Sequence, residues 1–218
     1  MSLQDQLSGF RASWEERVGD DIASTVAAHN DALRRSGIAA RALGPGARFP
    51  DLALADARGG RTRIYDKLAR GPLVVTFYRG GWCPYCSLEL RAYQAALGEI
   101  RALGADLVAV SPEMPDHSLS TAQKNALEFD VLSDTNGALA DALGIRFELA
   151  PPIVELYRRA GNDLAARNGD GRWSLPMPAT YVLRSDGTIA LAFVDPEYRR
   201  RLEPAAALGT LRDIEEQI

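Results

Sequence analysis

The sequence predicts an α/β fold, a mixed β-sheet sandwiched by helices, with an N-terminal helical extension. Three observations carry that expectation. Leu73-Val74-Val75-Thr76-Phe77-Tyr78 and Asp106-Leu107-Val108-Ala109-Val110 are continuous apolar, β-rich runs, the pattern of strands buried on both faces. A helical pattern from about Ser87 to Leu103 separates them, which makes a βαβ crossover and parallel strands. A late hairpin, Thr180 to Leu183 and Thr188 to Phe193 around Ser185-Asp186-Gly187, adds an antiparallel pair.

The remaining elements follow in chain order. Through residue 36, Leu3, Leu7, Phe10, Trp14, Val18, Ile22 and Val26 recur every three or four positions and share one helical face. Gly37, Gly44, Pro45 and Gly46 then punctuate the chain. Residues 1–42 are therefore expected to be an amphipathic helical extension, and 43–218 the main domain. The apolar face is offered to that domain or to a second copy of the chain, so a homodimer through the N-terminal helix is one expected partner.

Phe49 to Leu54 and Arg61 to Ile64 read as a hairpin around Asp56-Ala57-Arg58-Gly59-Gly60, and Tyr65 to Arg70 as a short helix. Ser118 to Glu128 and Asn136 to Leu143 read as helices flanking a short strand at Val131-Leu132, and Pro204 to Ile218 as the last helix. Residues 146–174 are least readable: a helix from Pro151-Pro152 through Arg159, then a long glycine-punctuated loop.

Composition narrows function. The chain has 218 residues, net charge −4 and 46% hydrophobic residues, which disfavours nucleic-acid and membrane-surface partners. The one basic cluster, Arg199-Arg200-Arg201, reads as a solvated loop or helix end. No signal-peptide pattern opens the sequence and no run approaches a membrane span, so a cytoplasmic location is expected.

Both cysteines lie in Trp82-Cys83-Pro84-Tyr85-Cys86, between a buried strand and a helix. A zinc site needs about four ligands, and a disulfide spanning two residues constrains the unfolded chain little. Redox chemistry is the reading that remains. Unpaired amides and partial positive charge at a helix start stabilise an anion, so the Cys83 thiol should fall below the free value of about 8.5. Cys83, at the exposed helix start, is expected to attack. Cys86, one turn deeper, is expected to resolve, joining Cys83 in a redox-active disulfide. Pro84 suits the first helical turn, and Trp82 and Tyr85 should form an apolar wall beside the sulfurs.

Phe77 to Cys86 resembles the active-site region of the peroxiredoxin-like (AhpC/TSA) branch of the thioredoxin superfamily. Gly46 to Leu52, Val108 to Glu113, Leu132 to Asp134, Met177 to Val182 and Asp186 to Ile189 resemble the family's other segments. The resemblance implies a thioredoxin-like fold and an antioxidant oxidoreductase. Such an enzyme reduces hydroperoxides through Cys83, or exchanges disulfides in the manner of thioredoxin or glutaredoxin, whose Cys-Pro-Tyr-Cys sequence this chain shares. An external thiol reductant of thioredoxin or glutathione type is implied, and no metal, haem or flavin. By the same analogy the Met177–Pro178 bond is expected to be cis, with the Met177 backbone facing Cys83. The family's Thr or Ser three residues before the cysteine is Gly80 here, its proline seven residues before is Thr76, and Pro178 occupies the place of its arginine. Arg79 is the nearest replacement for that arginine.

Overall fold

The computed structural model describes residues 1–216. The chain begins with two helices, α1 (Leu3–Val18) and α2 (Asp20–Arg35), followed by a 3₁₀ turn at Ile38–Arg41. Strands β1 (Ala53–Asp56) and β2 (Arg61–Arg63) form the first hairpin, and α3 (Ile64–Leu68) leads to β3 (Leu73–Phe77). Then come α4 (Pro84–Ala102), β4 (Asp106–Ser111), α5 (Pro115–Lys124), β5 (Asp130–Ser133) and α6 (Ala138–Ala142). The region that was hard to read contains β6 (Arg146–Glu148), α7 (Pro151–Arg159), α8 (Leu164–Asn168) and β7 (Ser174–Pro176). The chain closes with β8 (Ala179–Leu183), β9 (Ile189–Val194) and α9 (Pro204–Glu215). Gln217 and Ile218, the end of the expected last helix, lie outside the described residues.

Seven strands form one sheet in the order β2-β1-β5-β4-β3-β8-β9. β3 pairs parallel with β4 and antiparallel with β8, so it is an interior strand, and every residue of it is buried, as the sequence predicts. Alternation along β3 divides the core. Val74 packs with Leu90, Tyr93, Leu97 and Ile100 beneath α4, while Leu73, Val75 and Phe77 pack on the opposite face with Ile64, Leu68 and Tyr181. Thr76 points to the α4 side, where its hydroxyl meets Glu89 at 3.2 Å. A polar group buried in that layer is tolerated because it is hydrogen-bonded.

The N-terminal segment is not one helix. Gly19 sits at φ +77, where an L-residue is strained, and the chain turns there from α1 into α2. Ser2 caps α1, and the free amides of Leu3 and Gln4 donate to the Glu203 carboxylate at 3.2 and 2.6 Å, fastening the helix beside α9. Leu3 and Leu7 are buried, each side chain contributing about 1.5–3 kcal/mol. The rest of the apolar face, Phe10 to Val26, turns inward over the start of α4. Phe10, Trp14, Val18 and Val26 are half-buried there, and Ile22 stays exposed. The long loop expected after α7 is instead a short helix and a strand, with β7 pairing β6. Two three-residue strands leave too little periodicity to be read locally.

Candidate active site

β3 ends at Phe77, and the Tyr78 amide still donates to Val110 at 2.9 Å. The backbone then turns through Gly80 (φ +149) and Gly81, whose amide donates to the Glu113 carboxylate at 2.8 Å. A Cβ on Gly80 would lie 2.2 Å from Trp82 Nε1. That collision is the physical reason the family's Thr or Ser has no room here. The Cys83 amide closes the turn onto the Gly80 carbonyl at 3.1 Å. Cys83 is the N-cap of α4 and Pro84 its first helical residue, as the sequence predicts.

Cys83 is not exposed, contrary to expectation. It is 2% accessible and Cys86 is fully buried. An apolar cavity of about 310 Å³ lies against Cys83. Phe10, Trp14, Val18, Ile22 and Val26 from the first two helices line it, facing Ile153, Leu156 and Tyr157 of α7. Trp82, Pro84, Tyr85 and Pro178 line the same cavity. Phe10 and Tyr85 meet edge to face at 5.0 Å, and Trp82 and Tyr157 at 5.1 Å.

Both thiols are free and they interact. Burial pushes the Cys83 thiol up, but hydrogen bonding from Cys86, the charges of Arg79 and Arg201, and the Cys86 amide outweigh it and bring it down to about 6. Arg79 Nη1 lies 4.0 Å from Cys83 Sγ, and the Arg79 amide donates to Cys86 Sγ at 3.4 Å. Burial, its hydrogen bond to Cys83 and the Cys83 charge hold the Cys86 thiol well above its usual range. Backbone amides were expected to depress the Cys83 thiol; here the Cys86 thiol and two arginines lead and the amide follows.

Arg79 is buried, with its guanidinium 4.0 Å from the Tyr198 ring and 5.0 Å from the Trp82 ring, and Nη2 donating to the Tyr157 hydroxyl. The second arginine was missed. Arg201 is 4% accessible, pairs with Glu89 at 2.7 Å and donates to Cys86 Sγ at 3.4 Å. The reading of Arg199-Arg200-Arg201 as a solvated run is thereby corrected. Only Arg200 points outward, while Arg199 pairs with Glu197 at 2.7 Å. A charge run carries no signal of which members a tight turn folds inward. His29 was also missed. It lines the cavity, and burial and the Arg79 charge lower its pKa.

The expected cis bond is absent: among the described residues no peptide bond is cis. The chain passes in the trans form from β7 into β8, between the small sheet and the large one, and needs no reversal at Pro178. The Met177 amide donates to Ile145 at 2.8 Å, so it is not free to pair with a substrate chain, and its side chain is buried in the core opposite α4.

A model of the AhpC/TSA family matches residues 45–192. The chain belongs to the AhpC/TSA family. Among its curated relatives, a putative peroxiredoxin of Mycobacterium tuberculosis is 28% identical over 102 residues, 47% of this chain and 64% of that protein. The match therefore spans just under two thirds of that relative's length. A chloroplastic peroxiredoxin Q of Sedum lineare is 25% identical over 192 residues, 88% of this chain and 86% of the relative. The fold resembles that of peroxidoxin BcpB from Mycobacterium tuberculosis (TM-score 0.63, 21% identity, 79% of this chain and 98% of the other). It also resembles peroxiredoxin Q from Xanthomonas campestris (TM-score 0.57, 21% identity, 80% and 96%). This AhpC/TSA chain thus has the peroxiredoxin-type thioredoxin fold. The two helices that roof its cavity lie before the matched segment. No helix of the described residues is long and apolar enough to cross a membrane.

Proposed function

We propose that the chain is a thiol peroxidase and antioxidant enzyme acting on organic hydroperoxides, with Cys83 as the attacking thiol and Cys86 as the resolving one. One observation carries this reading: a thiol brought down to about 6 lies at the floor of an apolar cavity of about 310 Å³. About nine tenths of such a thiol is ionised at pH 7, and the thiolate is the nucleophile. The cavity is at the small end of ligand-pocket sizes and lined by apolar side chains, which suits the organic group of ROOH.

Cys83 thiolate attacks the terminal peroxide oxygen. The S–O bond forms, the O–O bond breaks, and the alkoxide leaves and takes a proton from solvent to become ROH. Arg79, 4.0 Å from the sulfur, stabilises the thiolate and then the charge that grows on the leaving oxygen. Cys86 condenses with the sulfenic acid, giving the Cys83–Cys86 disulfide and water. An external thiol system of thioredoxin or glutathione type returns both thiols at the cost of its own oxidation, a cycle suited to the reducing cytoplasm.

Cys83 is 2% accessible and the Met177 amide is already bonded, which favours a small hydroperoxide over a folded protein disulfide as substrate, and the same burial favours a small thiol of glutathione type over a protein reductant. The division into an extension (residues 1–42) and a catalytic domain (43–218) is part of the proposal, the extension serving as the cavity roof rather than a dimer interface. Steady-state reduction of cumene hydroperoxide and hydrogen peroxide, with dithiothreitol supplied, tests the reading. It expects a higher kcat/KM for the organic substrate and loss of turnover in Cys83→Ser. Consumption no faster than a free-thiol blank overturns it.

A further inference from the structure

We propose that Glu89 is the proton acceptor for Cys86 during disulfide formation, the carboxyl and the thiol sharing one negative charge against the buried guanidinium of Arg201. The inference rests on the reading of Cys86 as the resolving thiol.

The geometry is a single fork. Arg201 Nε donates to Glu89 Oε2 at 2.7 Å, and Nη2 donates to Cys86 Sγ at 3.4 Å. Nε and Nη2 are neighbouring donors on one edge of the planar guanidinium, so they hold the carboxyl and the sulfur at adjacent places on one cation. Residues 86 and 89 are also three apart on α4 and share its inner face. Glu89 and Cys86 are fully buried, and Arg201 is 4% accessible.

Arg201 bonds both groups, whereas the guanidinium of Arg79, whose charge also favours the Cys86 thiolate, lies against Cys83; two anions on the single buried guanidinium of Arg201 repel each other and are unfavourable. Cys86 therefore gives up its proton most easily when Glu89 takes it. Burial and the neighbouring Cys86 already push the Glu89 carboxyl up to about 7, despite the opposing Arg201 and Thr76 contacts.

The other groups around the pair do not serve. Thr76 donates to Glu89 Oε1 at 3.2 Å and shares a hydrogen bond with Thr180, and both hydroxyls are neutral. Tyr93, on the same helix, is held protonated by burial and by the Glu89 charge. Cys83 is in its sulfenic form at this step. Glu113 also faces Cys86 electrostatically, but one of its oxygens accepts the Gly81 amide and its cation is Arg167 at 3.8 Å.

The step balances. The Cys86 proton moves to Glu89. The thiolate attacks the Cys83 sulfenic sulfur, the S–S bond forms and the S–O bond breaks. Hydroxide leaves and recovers the proton from Glu89 as water. Cys86 sulfur is oxidised, Cys83 sulfur is reduced, and Glu89 ends as a carboxylate.

The test titrates Cys86 by thiolate absorbance in Cys83→Ser, whose uncharged hydroxyl stands in for the sulfenic acid. Adding Glu89→Gln leaves Arg201 with no rival anion, so the Cys86 midpoint should fall by at least one pH unit, a tenfold rise in its ionisation constant. Adding Thr76→Val instead removes a donor to the carboxylate and should move the midpoint the same way, about threefold. This second variant keeps the ion pair intact should Glu89→Gln fail to fold. A midpoint that stays put or rises in the folded variants overturns the proposal. Treating the unmodified chain with one equivalent of cumene hydroperoxide separates the two readings. Absence of a Cys83–Cys86 disulfide refutes the resolving role itself, whereas a disulfide with an unmoved midpoint refutes only Glu89.

Discussion

Arg79→Met removes one positive charge from beside Cys83 while keeping an apolar side chain against the Tyr198 and Trp82 rings. The lowering of the Cys83 thiol to about 6 corresponds to roughly 3–4 kcal/mol. Arg79 Nη1 at 4.0 Å is one of two arginines supplying it. Two unit charges at that separation interact by about 4 kcal/mol at an effective dielectric of about 20. Burial opposes the thiolate and the other groups share the work, so Arg79 is assigned about one to two pH units.

The sign follows from the thiol. A lowered value means the deprotonated form persists to lower pH. In the native chain the rate of Cys83 alkylation by iodoacetamide should therefore rise through about pH 6 and level off by pH 7. In Arg79→Met the rise should shift to between about pH 7 and 8. The ionised fraction at pH 7 then drops from about nine tenths to between about a half and a tenth. A midpoint that moves by less than about 0.3 units would refute the assignment of Arg79 and leave Arg201 and the Cys86 thiol as the source.

Three further predictions follow from the same geometry. Cys86→Ser, given one equivalent of hydroperoxide, should gain one oxygen by mass and bind dimedone at Cys83; a label elsewhere reverses the roles of the two thiols. Val26→Asn puts an amide on the cavity wall, so kcat/KM for cumene hydroperoxide relative to hydrogen peroxide should fall about tenfold; an unchanged ratio means the organic group binds elsewhere. Gly80→Ala forces a Cβ toward Trp82 Nε1 and the Glu113 carboxyl. It should cost about 1–3 kcal/mol, several degrees in Tm by thermal denaturation; an unchanged Tm denies the collision.

Much of the fold was legible because its signals are local. The runs at Leu73 and Asp106 became β3 and β4, and the helix between them begins at Pro84, in the cysteine motif itself. The N-terminal periodicity gave the correct apolar face, yet it did not give the break at Gly19, because a single glycine interrupts neither the spacing nor the polarity. The cysteines, Trp82, Tyr85 and Arg79 were legible by adjacency. Arg201 was not, since it reaches Cys86 across 115 positions of chain and looks in sequence like any solvated arginine. His29 likewise joins the cavity only because α2 folds back over α7. The cis expectation at Pro178 failed because it came from analogy, while the local chain simply runs extended from β7 into β8.

Mixing the pre-reduced chain with one equivalent of cumene hydroperoxide at pH 7 in a stopped-flow instrument, following intrinsic tryptophan fluorescence and then intact mass, tests the account most directly. The account predicts oxidation orders of magnitude faster than that of free cysteine, and loss of two hydrogens mapped to a Cys83–Cys86 bond. Oxidation at the free-cysteine rate, or a product in which the two sulfurs are not joined, would contradict it.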